Sequence, residues 1–160
     1  MADENIKSPS EYASLPAGTR VSYGAVGATI TTAKLLQSAT SIGATGNKGT
    51  FIDVTRLIDT EPKYMADMGE GEDKTLVFID DPDDAAQQAL LASADAKETV
   101  VFFMQFPNRR LAEIQLVLAG WSMQTVDSPK GKVLQLEIYG KQNKLKWTVT
   151  PAEPDQRVIL

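Results

Sequence analysis

The chain contains no cysteine and no histidine in its 160 residues. Lack of cysteine removes disulfides, zinc–thiolate sites and thiol nucleophiles. Lack of histidine removes the commonest general base and the commonest metal ligand, and with them any serine–histidine–acid triad. No Ser-x-x-Lys occurs, so a serine–lysine nucleophile of that type has no support. Aromatics are few, with two Trp and four Tyr, a thin supply for the platforms of a sugar site. No apolar run approaches a membrane span, the longest being Val100–Met104. The first residues, Met1-Ala2-Asp3-Glu4-Asn5, are polar and acidic, unlike a secretory signal, so a product soluble where it is made is expected.

What is present fits one domain with a real core, at 42% hydrophobic and 23% charged residues. The net charge of −5 is unevenly spread. Residues 1–100 hold 16 acids and 8 bases, whereas residues 101–160 hold 5 acids and 8 bases. Mixed surface charge accounts for this, and so would opposite poles that meet when copies stack head to tail. No basic stripe suggests nucleic-acid affinity.

Residues 1–17 read as an N-terminal arm, residues 18–150 as the folded domain and residues 151–160 as a C-terminal tail. The arm has only Ile6, Tyr12 and Leu15 as sizeable apolar groups and cannot bury itself. Thr19–Tyr23 reads as a short strand closed by Gly24 and Gly27, and Ile30–Ile42 as another, although Ala33–Leu36 would also suit a helix. Gly43–Gly49 reads as a turn. Thr50–Ile58 follows as a strand with Ile52, Val54 and Ile58 alternating against Asp53 and Thr55. Asp59–Lys74 is expected to be a long irregular loop, functional or disordered, before a strand at Thr75–Ile79. A helix is expected over 82–94, with Asp81 as N-cap, Pro82 at its first position and Asp83 and Asp84 facing the positive end of its dipole.

The remainder is β. Thr99–Phe106 ends in a turn at Pro107–Arg110, and Leu111–Thr125 sets Ile114, Leu116 and Leu118 against Glu113 and Gln115. After a turn at Asp127–Gly131, Lys132–Tyr139 sets Leu134, Leu136 and Ile138 inward against Gln135 and Glu137. Gly140–Asn143 reads as a further turn. Lys144–Val149 then places Leu145, Trp147 and Val149 on one face, with Trp147 expected in the core. These elements predict a mostly β, antiparallel α+β domain.

Chemistry finds no foothold. Gly43–Thr50 lacks the Gly-Lys-Ser/Thr of a phosphate loop, since Asn47-Lys48-Gly49-Thr50 stands there. An EF-hand counted from Asp80 would need glycine and glutamate where Ala85 and Leu91 stand, and helix capping explains the acids around Pro82. No catalytic residue, metal or cofactor is expected.

One continuous stretch resembles the major tail tube proteins of long-tailed, lambda-like bacteriophages. Asp83–Leu91 is similar to their helix around Gln87-Gln88-Ala89-Leu90-Leu91. Phe106-Pro107-Asn108 matches their turn, Gly120-Trp121-Ser122 their Gly-Trp-small motif, and Lys132–Tyr139 with Gly140-Lys141 their closing strand and glycine turn. Order and spacing agree over residues 74–149, while the N-terminal half matches only in outline and the additional surface domain of some members is missing. The resemblance implies an antiparallel β-sandwich or partial barrel with one flanking α-helix. It also implies homohexameric rings stacked into a virion tail tube, made in the host cytoplasm, whose lumen passes DNA. Tape measure, tail terminator and distal tail proteins are the implied partners.

On that reading the arm and long loop bridge rings, through Ile6, Tyr12, Tyr64, Met65, Asp67, Met68 and Glu70. One or two of the pairs Asp53/Thr55, Glu113/Gln115 and Gln135/Glu137 line the lumen. The competing expectations are a β-sandwich binding module, decorating a virion or binding a receptor through the 43–49 and 59–74 loops, and the related tube of a contractile tail or secretion system.

Overall fold

β-Branched and aromatic runs separated by glycine and proline give an almost wholly antiparallel β protein in a computed structural model that describes residues 6–71, 73–127 and 133–150. In chain order the elements are α1 (Pro9–Tyr12), β1 (Arg20–Ala25), β2 (Lys34–Leu35), β3 (Ala39–Ser41), β4 (Asn47–Lys48), β5 (Phe51–Asp53) and β6 (Tyr64–Ala66). They continue as β7 (Glu70–Gly71), β8 (Asp73–Ile79), α2 (Ala85–Asp95), β9 (Thr99–Gln105), β10 (Arg110–Met123) and β11 (Gln135–Val149). The turn expected at Asp127–Gly131, the start of the strand at Lys132, the first five residues of the arm and the tail 151–160 lie wholly or mainly outside the described residues.

Seven strands form one sheet in the order β2-β1-β9-β10-β11-β8-β3. Its two edge strands, β2 and β3, follow one another in the chain with only Leu36, Gln37 and Ser38 between them. Four Cα steps reach at most about 14 Å, so the edges must lie close together and the sheet must curl into a partial barrel. Ile30–Ile42 is therefore not one strand: it is two short ones on opposite edges, joined across the seam. Leu36 is buried at the crossing, and its N–H donates to the Val21 carbonyl at 2.8 Å.

The curl encloses the core. Val21, Tyr23, Phe78, Phe102, Met104, Ile114, Leu116, Leu118, Leu136 and Ile138 are buried in a single cluster that α2 joins through Leu90, Leu91 and Ala94. The alternation of Ile114, Leu116 and Leu118 against Glu113 and Gln115 reads as expected. Leu134 differs: it precedes β11 and is exposed.

β11 runs unbroken through Gly140–Asn143, where a turn was expected. Two irregularities disguise it. Gln115 pairs with Lys144 and Leu116 with Gln142, which leaves Asn143 as an extra residue, so Lys141 and Lys144 share a face. Gly140 packs tightly against β10, where a Cβ would come 3.1 Å from the Val117 carbonyl oxygen. On β10 a second slip falls between Leu118 and Trp121, at Gly120 with φ +104°. Bulges bend strands and increase their twist, which suits strands of 14 and 15 residues that wrap around a core.

The helix starts later than its sequence suggests. Asp84, not Asp81, is the N-cap; its carboxylate accepts from the Ala86 N–H at 3.2 Å. Asp81-Pro82-Asp83-Asp84 forms a turn closed by the Asp84 N–H on the Asp81 carbonyl, with Pro82 in the position such turns favour. The Asp81 N–H is taken by Gln87 Oε1 at 2.9 Å, while Gln87 Nε2 donates to the Ile79 carbonyl at 2.8 Å and to Ser38 Oγ at 2.9 Å. Gln87 is fully buried. It ties the helix at once to the end of β8 and to the seam crossing.

Candidate assembly surfaces

The region expected as a strand, Thr50–Ile58, and the loop 59–74 fold back on each other. β4 pairs with β7 and β5 with β6, through Phe51–Ala66, Ile52–Met65 and Asp53–Tyr64. Further bonds extend the hairpin, the Val54 N–H to the Lys63 carbonyl at 2.9 Å and the Asp67 N–H to the Thr50 carbonyl at 2.8 Å. At the tip Arg56 pairs with Asp59 at 3.0 Å, and its guanidinium holds the Asp59 carboxyl below the usual carboxylate range.

None of the hairpin's large apolar groups is buried. Phe51, Ile52, Val54, Leu57, Ile58, Tyr64, Met65 and Met68 are all exposed, Leu57 and Met68 almost completely. They occupy both faces, since Ile52 faces with Met65 while Phe51 lies one position along, on the opposite face. A solvated hairpin would keep one face polar, and an isolated two-stranded ribbon is marginal in water. Apolar groups exposed on both faces make this hairpin a candidate interaction surface.

The hairpin's root is fixed to the barrel by buried polar groups. Lys74 is 3% exposed, and its ammonium donates to the Ala44 carbonyl at 2.6 Å and to the Thr45 hydroxyl. Gln142 is buried beside it and donates to Asn47 Oδ1. Gly71 lies so close to β11 that a Cβ would overlap the Gln142 carbonyl oxygen. Nothing in the sequence marks these residues, because lysine and glutamine in strands read as surface.

Candidate stacking residues fall on two separate segments. Tyr64, Met65, Asp67 and Met68 belong to the hairpin, and Glu70 contributes backbone to β7. Ile6 and Tyr12 belong to the arm, where α1 buries no residue and Glu11 accepts from the Ser8 N–H at 3.1 Å.

The candidate lumen pairs are also divided. Asp53 and Thr55 sit on the hairpin, locked to each other: the Asp53 carboxylate accepts from the Thr55 hydroxyl at 2.6 Å and its N–H at 2.9 Å, which lowers the Asp53 pKa. Glu113, Gln115, Gln135 and Glu137 share the outer face of the large sheet. There Glu113 opposes Lys146 and Gln115 opposes Lys144, while Lys141 lies 4.0 Å from Asp73. Glu137 accepts from the Tyr139 hydroxyl and the Gln124 amide, both at 2.7 Å, and in that order these donors lower its pKa.

Trp147, expected in the core, is 40% exposed and stacks on Phe106 with ring centroids 6.3 Å apart. It lies at the open end of the curl, where no strand remains to cover it. Among the described residues no group of three or more acids could hold a metal, and no helix is long and apolar enough to cross a membrane.

Residues 14–150 match the model of the phage tail tube protein family. Among solved structures, a chain of the PVC extracellular contractile injection system, in its extended sheath–tube complex, superposes with a TM-score of 0.67 at 10% identity. The match covers 91% of this chain and 100% of that one. The tail of an empty GTA particle gives 0.64 at 11% identity, covering 87% and 100% of the two chains. The SPP1 tail tube gives 0.60 at 10% identity, covering 82% and 77%. At such identities the likeness is one of fold. No curated protein sequence matches the chain.

Proposed function

Because the chain belongs to the phage tail tube protein family, we propose that six copies close into a ring and that rings stack into a tube whose lumen passes DNA. It is a structural subunit of the virion tail and not an enzyme. The observation that carries the finer reading is the hairpin of residues 47–71, whose large apolar side chains lie on both faces and are all exposed. Such an element is stable only between neighbours. The arm is a second segment of the same kind, with Ile6 84% and Tyr12 63% exposed.

Energetics favour apolar contacts as the source of stacking affinity. Covering one large apolar side chain contributes about 1.5–3 kcal/mol, whereas an exposed ion pair contributes roughly 0–1 kcal/mol. Charge therefore sets register: the acidic segment 67–73 meets the net basic C-terminal third of a neighbour. Ring closure satisfies the sheet edges, which two- and three-residue edge strands already keep short, and head-to-tail repetition gives an open filament.

The lumen is assigned to the outer sheet face with Glu113, Gln115, Gln135 and Glu137. Asp53 and Thr55 are assigned to stacking instead, because Asp53 lies opposite Tyr64 on the hairpin. Tail terminator, tape measure and distal tail proteins are the partners of the finished tube.

Negative-stain microscopy and sedimentation test this reading. Purified chain should form hollow filaments without nucleotide or metal as concentration rises. Replacing Tyr64, Met65 and Met68 with serine should leave a folded subunit that makes no long tubes. Monomer alone at high concentration and moderate salt would refute the tube, and long tubes from the triple variant would refute the hairpin's part in it.

A further inference from the structure

β11 carries one more residue than β10 can pair, and the surplus falls between two amides. Leu116 faces Gln142 and Gln115 faces Lys144, which leaves Asn143 as the extra residue. Gln142 is turned into the curl, 4% exposed, and Asn143 is exposed. The sequence admits a second solution. Moved one step toward Lys141, the bulge leaves Gln142 unpaired and sets Asn143 inward opposite Leu116, while Lys141 and Lys144 keep their partners Val117 and Gln115. A further step that way would bury Lys141, and a step the other way leaves Gln142 where it is. The bulge therefore has two positions that differ in the inward residue, and each sets an amide in the same buried place.

Only one of the two positions holds the hairpin. The inward Gln142 amide donates to Asn47 Oδ1 on β4. β7 also rests on Gln142, since a Cβ on Gly71 would overlap the Gln142 carbonyl oxygen. Asn47 and Gly71 pair with each other at the hairpin's root, so both root strands bear on this one residue of β11. Asparagine is a methylene shorter than glutamine, and an inward Asn143 falls short of Asn47. The grip is also incomplete, because Gln142 Oε1 is buried without a hydrogen-bond partner. An unpaired buried acceptor is costly, which narrows the gap to the second position.

We propose that the Gln142–Asn143 bulge is a two-position latch that controls assembly. With Gln142 inward, the hairpin is held at the angle at which it stacks. With Asn143 inward, the root is released and the hairpin swings without stacking. An element held in its bound orientation loses less freedom on docking, and the apparent affinity of a subunit falls with the fraction that is competent to bind. The docking step rests on the tube reading, whereas the latch itself does not.

Asn47→Ala removes the grip and should raise the critical concentration for filaments in proportion to the latched fraction lost. Asn143→Lys and Asn143→Glu each put a charge at the exposed position that cannot turn inward, which locks Gln142 in place. Either one, added to Asn47→Ala, should return assembly to the wild-type concentration. Rescue by both signs separates the latch from a charge effect, and rescue of any kind separates it from a lost contact. Unchanged assembly of Asn47→Ala, no rescue, or rescue by one sign alone overturns the proposal. Relaxation dispersion reads the latch without assembly, on chain kept monomeric by replacing Tyr64, Met65 and Met68 with serine. Exchange between two states should appear at Gln115, Leu116, Gln142 and Asn143, and Asn143→Lys should abolish it. Asn47→Ala should raise the minor population by about two- to tenfold, the weight of one hydrogen bond. Absence of this exchange overturns the second position. Wild-type chain that never assembles removes the tube reading, and the exchange measurement still decides the latch.

Discussion

Replacing Gln87 with leucine should cost the subunit about 2–4 kcal/mol, although no apolar contact is lost and the side-chain volume hardly changes. Gln87 accepts from the Asp81 N–H and donates to the Ile79 carbonyl and Ser38 hydroxyl, with bonds of 2.8–2.9 Å. Ser38 can rotate toward water, but the backbone donor at 81 and acceptor at 79 would face a leucine methyl. A buried polar group left unpaired costs about 1–3 kcal/mol, and two such groups, partly offset by leucine's own burial, give the stated range. In a domain of this size about 1 kcal/mol moves the midpoint by roughly 2–4 °C, so melting should fall by roughly 4–16 °C.

The damage should also be local in a specific way. The Ile79 N–H donates to the Ser38 carbonyl at 2.9 Å, pairing β8 with the crossing between the two edge strands. Hydrogen exchange at Ile79 and Leu36 should accelerate more than exchange in β9 or β10. Ser38→Ala, which removes one of the three bonds, should show a weaker form of the same pattern. Melts below the assembly concentration and exchange by mass spectrometry measure both. A midpoint within about 1 °C of wild type, or acceleration spread evenly over the sheet, would refute the role of Gln87 as the tether of the seam.

Gly71→Ala should displace the hairpin root, because the new methyl would overlap the Gln142 carbonyl oxygen; a loss of about 1–3 kcal/mol and shortened filaments are expected, read by melting and microscopy. Asp84→Ala should cost about 0.5–2 kcal/mol as the true N-cap, more than Asp81→Ala, and equal or reversed losses in denaturant titration would contradict the cap assignment. Asp53, Asp59 and Glu137 all have folded pKa values below their unfolded ones, held down chiefly by the Thr55 hydroxyl, Arg56 and the Tyr139 hydroxyl respectively. Their contribution is complete above the ordinary carboxylate range and lost as pH falls through the folded values. From these three groups stability should therefore decline only on the acid side of that range, and Glu137→Gln should remove part of the decline.

Where an element could be read from the sequence, its side chains met one environment along their whole length. The first half of β10 alternates cleanly because one side is core throughout, and Thr99–Gln105 is legible as a short apolar run, buried on both faces at Phe102–Met104. The helix body is legible through its Ala, Gln and Leu content, but not its start, since proline suits both a first helical position and a β-turn. Asn143 hides the continuity of β11: one extra residue reverses the phase, and a strand whose alternation changes sign looks like two. The hairpin is invisible for a different reason. Ladders of two and three residues are too short for a period, and the hairpin's exposed apolar groups obey no inside–outside rule within the chain. The exposure of Trp147 depends on where the sheet ends, which strand patterns do not encode. The buried roles of Lys74, Gln87 and Gln142 are set by partners 29, 49 and 95 positions away, with the turn at Asp81 adding a further bond for Gln87.

The outer sheet face proposed for the lumen carries charges of both signs. A uniformly acidic wall would repel phosphates, yet it would also repel itself, since six copies would crowd like charges around a narrow bore. On this face the acids are interleaved with lysines across the ladder, Glu113 with Lys146 and Asp73 with Lys141, and Gln115 opposes Lys144. Phosphate binding gains from clustered cations that release counterions together. Lys141, Lys144 and Lys146 share this face, but Glu113 opposes Lys146 and Asp73 lies 4.0 Å from Lys141, so two of the three are offset by a carboxylate. Glu137 is kept ionised by Tyr139 and Gln124 while the acids beside the lysines keep the local sum near zero. A lumen built from this face would avoid holding DNA by balance, residue against residue, and it would do so without the electrostatic strain that net negative charge would place on ring closure.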